Sequence, residues 1–340
     1  MVAQGLLRDA AGPCRRGRGG GPVTARRVAA VDCGTNSIRL LVADADPATG
    51  ELTDLDRRMR IVRLGQGVDR TGRLAPEALE RTFAACREYA DVIRELGATE
   101  VRFTATSATR DAENRAEFTE GVRDLLGVTP EVVTGDEEAA LSFTGATKEL
   151  TGRADLDTPY LVVDIGGGST ECVVGTDGVR AARSVDIGCL RLTERHLARP
   201  DGTVTDPPTA GQVEAIRRDI TTALDEAART VPLAEARTLV GLAGSVTTVA
   251  GLALGLTEYD STAIHHARIP YAKVKEVTDT LLTSTHAERA ANPVIHPGRV
   301  DVIAAGALIL LTLMERTGAA EVVVSEHDIL DGIAWKAAGA

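Results

Sequence analysis

Aromatic residues are scarce in this sequence: Phe, Tyr and Trp together make up 3% of 340 residues. The core must therefore be assembled from Ala, Val, Leu and Ile. Cysteine is sparse too. Cys14, Cys33, Cys86, Cys172 and Cys189 are odd in number, irregularly spaced and form no Cys-x-x-Cys pair. That pattern excludes a disulfide framework and reads as reduced thiols in a cytoplasmic protein. No long apolar run exists. The longest, 302–314, is interrupted by Gly306 and Thr312 and falls short of the roughly 20 residues that a membrane span needs, so it reads as a buried helix and no membrane partner is expected. Positive charge is in deficit as well. A net charge of −11 argues against general nucleic-acid binding, which wants a broadly basic face. A small polyanion is still allowed, because local Arg side chains, backbone N–H groups and a bound metal can reverse the field inside one cleft.

Several catalytic signatures are missing. There is no Walker pattern and no Gly-x-Ser-x-Gly elbow, so neither a P-loop nor a Ser nucleophile is expected. The six His residues show no metal-ligand spacing, and His265 and His266, being adjacent, should point apart on any regular element. Residues 1–26 carry Arg8, Arg15, Arg16, Arg18 and Arg26 with several Gly and no apolar signal core. They read as a disordered tail rather than a targeting signal, or as an over-extended start.

What is present is an alternation of strands and helices, the mark of α/β architecture. Strands are predicted over 28–31, 38–43, 101–104, 131–133, 160–164, 171–175 and 239–241. Helices are predicted over 76–96, 112–126, 136–150, 212–230 and 271–284. The pattern also restarts. Asp32, Gly34 and Ser37 recur as Asp164, Gly166 and Ser169, each 132 positions on, and both sets sit between two predicted strands. The simplest reading is two related lobes, each offering a phosphate loop to a shared cleft. The competing reading is a pair of unrelated turns.

The chemistry concentrates in these loops. In 164–171, the run Gly166, Gly167, Gly168 lets the backbone approach a ligand and aim successive N–H groups at an anion. Ser169 adds a hydroxyl donor. Asp164 and Glu171 flank the turn with oxygen ligands of the kind that suit Mg2+ or Mn2+. In 32–37, Gly34, Thr35, Asn36 and Ser37 can serve the same anion, and Arg39 takes the slot that Glu171 holds in the second copy. Arg110 is a candidate guanidinium fork for phosphate, or a surface Arg. Gly244 and Ser245 open a strand-to-helix turn whose N–H groups could hold an anion, or simply turn the chain. Thr134 and Glu137 have capping-box spacing, which leaves Glu138 free. Its position between the repeats suits a general base for water, although a carboxylate in a first turn is also commonplace.

Taken in order, the segments 31–42, 63–74, 105–118, 132–146, 161–175, 186–196, 242–252 and 298–310 resemble the exopolyphosphatase / guanosine pentaphosphate phosphohydrolase (Ppx/GppA) family, of the actin, sugar-kinase and heat-shock-ATPase superfamily. The resemblance implies two actin-like, ribonuclease H-like lobes with an interdomain cleft. Lobe I would span 27–138, with a C-terminal helix within 326–340 packing back on it, and lobe II would span 139–325. It implies Glu138 as the base, Asp164 and Glu171 in metal and phosphate binding, Arg110 near the cleft mouth, and Gly166, Gly167, Gly168 and Ser169 as a phosphate loop. Mg2+ or Mn2+ is the implied cofactor. Inorganic polyphosphate or guanosine penta- or tetraphosphate is the implied ligand, and a homodimer is allowed. Longer family members carry a further C-terminal helical region that this sequence lacks, so extended binding of very long polyphosphate is not implied. Two alternatives stay open at this level: an ATP-dependent kinase or ATPase of the same superfamily, and a non-catalytic alarmone sensor.

Overall fold

The computed structural model describes residues 25–199 and 203–339. Most of the segment read as a tail, 1–24, lies outside the described residues, and the first strand already opens at Arg26. In chain order the first half comprises β1 (Arg26–Cys33), β2 (Ser37–Asp46), β3 (Glu51–Ile61), α1 (Val68–Thr71), α2 (Pro76–Leu96), β4 (Glu100–Ala105), α3 (Ser107–Asp111), α4 (Arg115–Leu126), β5 (Glu131–Val132) and α5 (Gly135–Thr147). The second half comprises β6 (Tyr160–Ile165), β7 (Thr170–Gly175), β8 (Val179–Val185), α6 (Cys189–Leu197), α7 (Ala210–Ala227), β9 (Thr238–Leu242), α8 (Ala243–Ala253), α9 (Ser261–Ile264), β10 (Arg268–Pro270), α10 (Tyr271–Thr283), α11 (His286–Ala290), α12 (Ile303–Thr317), β11 (Glu321–Val324) and α13 (Ile329–Ala337).

Two sheets share one plan. The first runs β3-β2-β1-β4-β5 and the second β8-β7-β6-β9-β11, with β10 added at its far edge. In each, three antiparallel strands are extended by parallel strands reached through helices. This is the ribonuclease H-like order, used twice. Central strands are buried because helices cover both faces: every residue of β6 and β7 is buried, Asp164, Thr170 and Glu171 included. In the second lobe, 302–314 forms the expected buried helix, α12, whose Thr312 hydroxyl is satisfied by the carbonyl of Leu308. Among the described residues no helix is long and apolar enough to cross a membrane.

Three local expectations need correction. The helix predicted from 112 begins only at Arg115, because the Asn114 amide is spent on Leu74, accepting its N–H at 2.8 Å and donating to its carbonyl at 3.1 Å. The helix predicted over 136–150 stops at Thr147. Strand β3 was not foreseen. It is an edge strand, exposed along most of its length, and its Arg and Asp residues hide the alternation that would signal a strand.

The helix α13 packs across β1, β2 and α5, and its Ile329, Leu330, Ile333, Ala334 and Trp335 join Val28, Ala30 and Leu41 in one core cluster. The crossing with α5 is close enough to require glycine on both sides. A Cβ on Gly145 would lie 1.8 Å from the Asp328 carbonyl oxygen, and one on Gly332 would lie 2.1 Å from that of Leu141. Gly332→Ala should therefore destabilise the protein by about 1–3 kcal/mol, the usual cost of overpacking. A chemical-denaturation midpoint unchanged from the parent would refute this account of the crossing.

Candidate active site

Antiparallel pairing converts the sequence repeat into geometry. The β1–β2 register sets Asp32 opposite Arg39, and the β6–β7 register sets Asp164 opposite Glu171. Within each turn the same hydrogen bond recurs: the Gly34 N–H donates to the Ser37 carbonyl at 2.9 Å and the Gly166 N–H to the Ser169 carbonyl at 3.1 Å. The two turns also meet. A Cβ on Gly167 would sit 3.1 Å from the Cβ atoms of Thr35 and Asn36, and one on Gly168 would sit 2.5 Å from Thr35 Oγ1. Glycine is needed here for the lobes to close.

Gly34, Thr35, Asn36, Ser37, Arg39, Gly166, Gly167, Gly168, Ser169 and Gly244 line one cleft, together with Glu138, Asp164, Asp32 and Thr106. Its volume is about 70 Å3, several times the roughly 10–15 Å3 that one water needs on the same measure, so a small oxyanion can enter. Asn36 is buried, yet neither its Nδ2 nor its Oδ1 has a partner. Buried amides are rarely left so, so these atoms are set for a ligand.

Glu138 occupies the first turn of α5, next to the Thr134–Glu137 capping box, which forms as predicted. Its carboxylate accepts from Arg110 Nη1 at 3.0 Å. Burial pushes its pKa up to about 8; Arg110 opposes the shift, and Asp164 and Asp32 add to it. Asp164 accepts from the Ser142 hydroxyl at 2.7 Å and is raised to about 7, by burial first and then by Asp328. Glu171 is raised well above the ordinary range by burial, then by Glu138 and Asp164. These are like charges held out of water, the arrangement that shifts carboxyl groups most.

Not every candidate lies on the cleft wall. Ser245 does not. Its hydroxyl is where a Cβ on Gly306 would fall, so it packs against α12 while Gly244 alone faces the cleft. Glu171 sits one layer back, beneath the turn, with its Oε1 accepting from Ser184 Oγ at 2.7 Å. Arg110 reaches the site through Glu138 and the Val133 carbonyl. Arg39 is anchored by Asp32 at 2.7 Å and by Asp328, so its free donors toward a ligand are fewer than its position in the loop suggests.

Arg299 was missed by sequence reasoning. It ends a short 3-10 turn and stacks under Gly244, where a Cβ would fall 1.9 Å from its Cζ. Burial pushes its pKa down, and its guanidinium has no hydrogen-bond or ion-pair partner among the described residues. Only the turn signal Pro297-Gly298 marked the place. Arg39, Ala243, Gly244 and Arg299 also form the wall between the cleft and a second chamber of about 410 Å3, which Arg57, Arg58, His296, Tyr259, Val294 and Glu326 help to line. On the opposite side, Arg191 of α6 ties the lobes together. Its Nε donates to the Gly168 carbonyl at 2.6 Å, and its two terminal nitrogens reach Asp69 at 2.7 Å and Asp111 at 2.5 Å.

The carboxylates fit a hard divalent cation. Donors are all oxygen, Asp32 Oδ1 is buried without a partner, and the groups repel one another. Among the described residues Asp164 and Glu171 do not form a three-carboxylate cage. Mg2+ does not need one, since it usually takes one or two carboxylates with water and substrate phosphates.

His265 and His266 lie in a loop, not on a regular element, so the expectation for a regular element does not apply: their rings stack with centroids 3.7 Å apart, and His266 takes a left-handed backbone conformation, φ 61°.

Comparison with known proteins adds three findings. The model of the Ppx/GppA phosphatase family matches residues 41–337. Exopolyphosphatase 2 of Mycobacterium tuberculosis is 52% identical over 324 residues, covering 92% of this chain and 99% of that protein. Among solved structures, an exopolyphosphatase-like protein superposes with TM-score 0.86 at 45% identity, covering 92% of this chain and 98% of that one. The Aquifex aeolicus member of the Ppx/GppA family superposes with TM-score 0.73 at 31% identity, covering 91% and 96%.

The raised pKa of Glu138 has a consequence for stability. The folded state holds a proton that the unfolded state has released, so this group lowers stability as pH rises from the ordinary carboxyl range to about 8. With divalent ions chelated, Glu138→Gln should melt higher than the parent, and the gain should grow between about pH 5 and pH 8. A gain that is flat or shrinking across that window, in thermal unfolding scans, would contradict the assignment.

Proposed function

This chain belongs to the Ppx/GppA phosphatase family, hydrolases acting on phosphoric anhydrides, and we propose that it removes the terminal phosphate of inorganic polyphosphate by water attack. The observation that carries the proposal is the meeting of the two glycine turns beside Glu138 in a cleft with room for a phosphoryl group. The N–H groups of 35–37 and 167–169, with the Asn36 amide, would hold the terminal phosphate. Arg299 and Arg39 would face the bridging oxygens where the chain leaves for the larger chamber. Glu138 orients a water and takes its proton as oxygen attacks phosphorus; the anhydride bond breaks and the shortened chain departs. Arg110 holds the Glu138 carboxylate in line. Asp164 and Glu171 would hold Mg2+ or Mn2+, which would neutralise phosphate charge and offset the part of the Glu138 shift that Asp164 and Asp32 add to burial. Positioning and charge stabilisation then supply most of the acceleration.

One observation supports a second substrate, the 5′-terminal phosphate of guanosine pentaphosphate. The larger chamber combines Arg57 and Arg58 with the apolar surfaces of Val294, Pro293 and Met59, so it offers room for a nucleoside as well as a phosphate chain.

Released phosphate should be followed over a panel of polyphosphate, guanosine pentaphosphate and ATP, with and without divalent metal. Glu138→Gln should lose about 10²–10⁴-fold in kcat, the contribution of a general base, with KM little changed. Near-full turnover would remove it from the role. Arg299→Met should lower kcat/KM by about 10–100-fold, matching one or two charge-assisted hydrogen bonds. An unchanged value would leave the Gly244 wall without a phosphate contact.

A further inference from the structure

Three side chains from distant parts of the chain converge away from the cleft. Glu149 follows the C-terminal end of α5, His265 follows α9, and His327 lies between β11 and α13. Glu149 Oε2 is 3.1 Å from His265 Nε2 and 3.2 Å from His327 Nδ1, and the two rings are 4.7 Å apart. One ligand atom from each of the three lies within 4.8 Å of the others. All three are partly open to solvent, so an ion could enter: their side chains are 49%, 23% and 30% exposed. Glu149 stands eleven residues beyond Glu138, past the end of α5, and none of the three side chains lines the phosphate cleft.

We propose that Glu149, His265 and His327 form a second metal site, for a borderline divalent transition ion such as Zn2+ or Co2+. Two imidazole nitrogens and one carboxylate oxygen are a donor set that suits Zn2+ and Co2+, whereas Mg2+ takes oxygen. The spacing agrees. Ligands held about 2.1 Å from a metal at tetrahedral or right angles stand roughly 3.0–3.4 Å from one another, which brackets both measured separations. His266 stacks on His265 and braces the ring.

One hydrogen bond must change on ligation. The Glu326 N–H donates to His265 Nδ1 at 3.1 Å. An amide can only donate, so the ring proton sits on Nε2 and points at Glu149. Binding through Nε2 moves that proton to Nδ1 and turns the Glu326 amide to another acceptor. The ion would then pin together the end of α5, a loop of the second lobe and the approach to α13, which packs on the first lobe.

The test is Co2+ uptake by the full chain after chelator treatment, read by visible absorption and equilibrium dialysis. Co2+ should bind with a ligand-field band, Zn2+ should displace it and excess Mg2+ should not, and the Glu326 amide resonance should shift. Asp164→Asn, which disables the cleft, should leave this uptake intact. Glu149→Gln, His265→Gln and His327→Gln should each weaken it by at least about 10–100-fold, the loss already seen for outer-shell partners of metal sites. Glu149 is half exposed, so its variant separates ligand loss from misfolding. The proposal is overturned if no Co2+ binds, if uptake vanishes in Asp164→Asn, or if the three variants bind as the parent does.

Discussion

Carboxylates buried beside one another are the constraint on which this molecule turns. Asp32, Glu138, Asp164, Glu171 and Asp328 all lie within the region where the lobes meet, and all are buried. Arg39, Arg110 and Arg299 are the cations set among them. Fully ionised, these eight groups would carry two negative charges more than positive. Low-dielectric surroundings make such an excess costly, and it can be relieved by protons or by one divalent cation. Burial first, and this excess after it, push Glu138 and Asp164 toward their protonated forms. A cation arriving with a phosphate chain would replace those protons. The cleft is thus unfavourable to itself and favourable to its ligand, which is how a preorganised site is expected to behave.

Helix α5 concentrates this arrangement. Within a few turns it presents Glu138 to the cleft, Ser142 to Asp164, Gly145 to α13 and, just past its end, Glu149 to the two imidazoles. A rotation of the helix could not shift one of these without disturbing the others. Arg191, bonded at once to the Gly168 carbonyl and to two carboxylates of the opposite lobe, makes the same kind of link on the far side. Closure of the lobes and the shape of the second glycine turn are therefore not independent variables.

Much of this could be read from the amino-acid sequence, and the reason is local. The two turns each need Asp, Gly and Ser at fixed places, so the offset of 132 survived as matching strand register, Asp32 with Arg39 and Asp164 with Glu171. Helix α2 was legible to its last residue because Pro76 opens it and Gly97 closes it in a left-handed cap. What escaped was set by partners far along the chain. Nothing near Arg299 announces that it stacks under Gly244. Ser245 shares its turn with Gly244 yet faces α12, a direction decided by a helix some sixty residues on. His265 and His266 stack in a loop where His266 is left-handed, and His, though enriched in that region, adopts it too seldom for the sequence to announce it.

The bond from Arg39 to Asp328 joins residues 289 positions apart, and α13 completes the face of a sheet that begins at Arg26. During synthesis the first sheet would emerge from the ribosome with Val28, Ala30 and Leu41 uncovered, and Arg39 would have only Asp32 as partner. The nascent chain must carry that bare apolar face until nearly all of the second lobe has been translated. Pairing of such long range slows folding and exposes intermediates to aggregation. Chaperone dependence of this protein would then originate in its first strands, while a residue that relieves it, Asp328, is encoded 289 positions after Arg39.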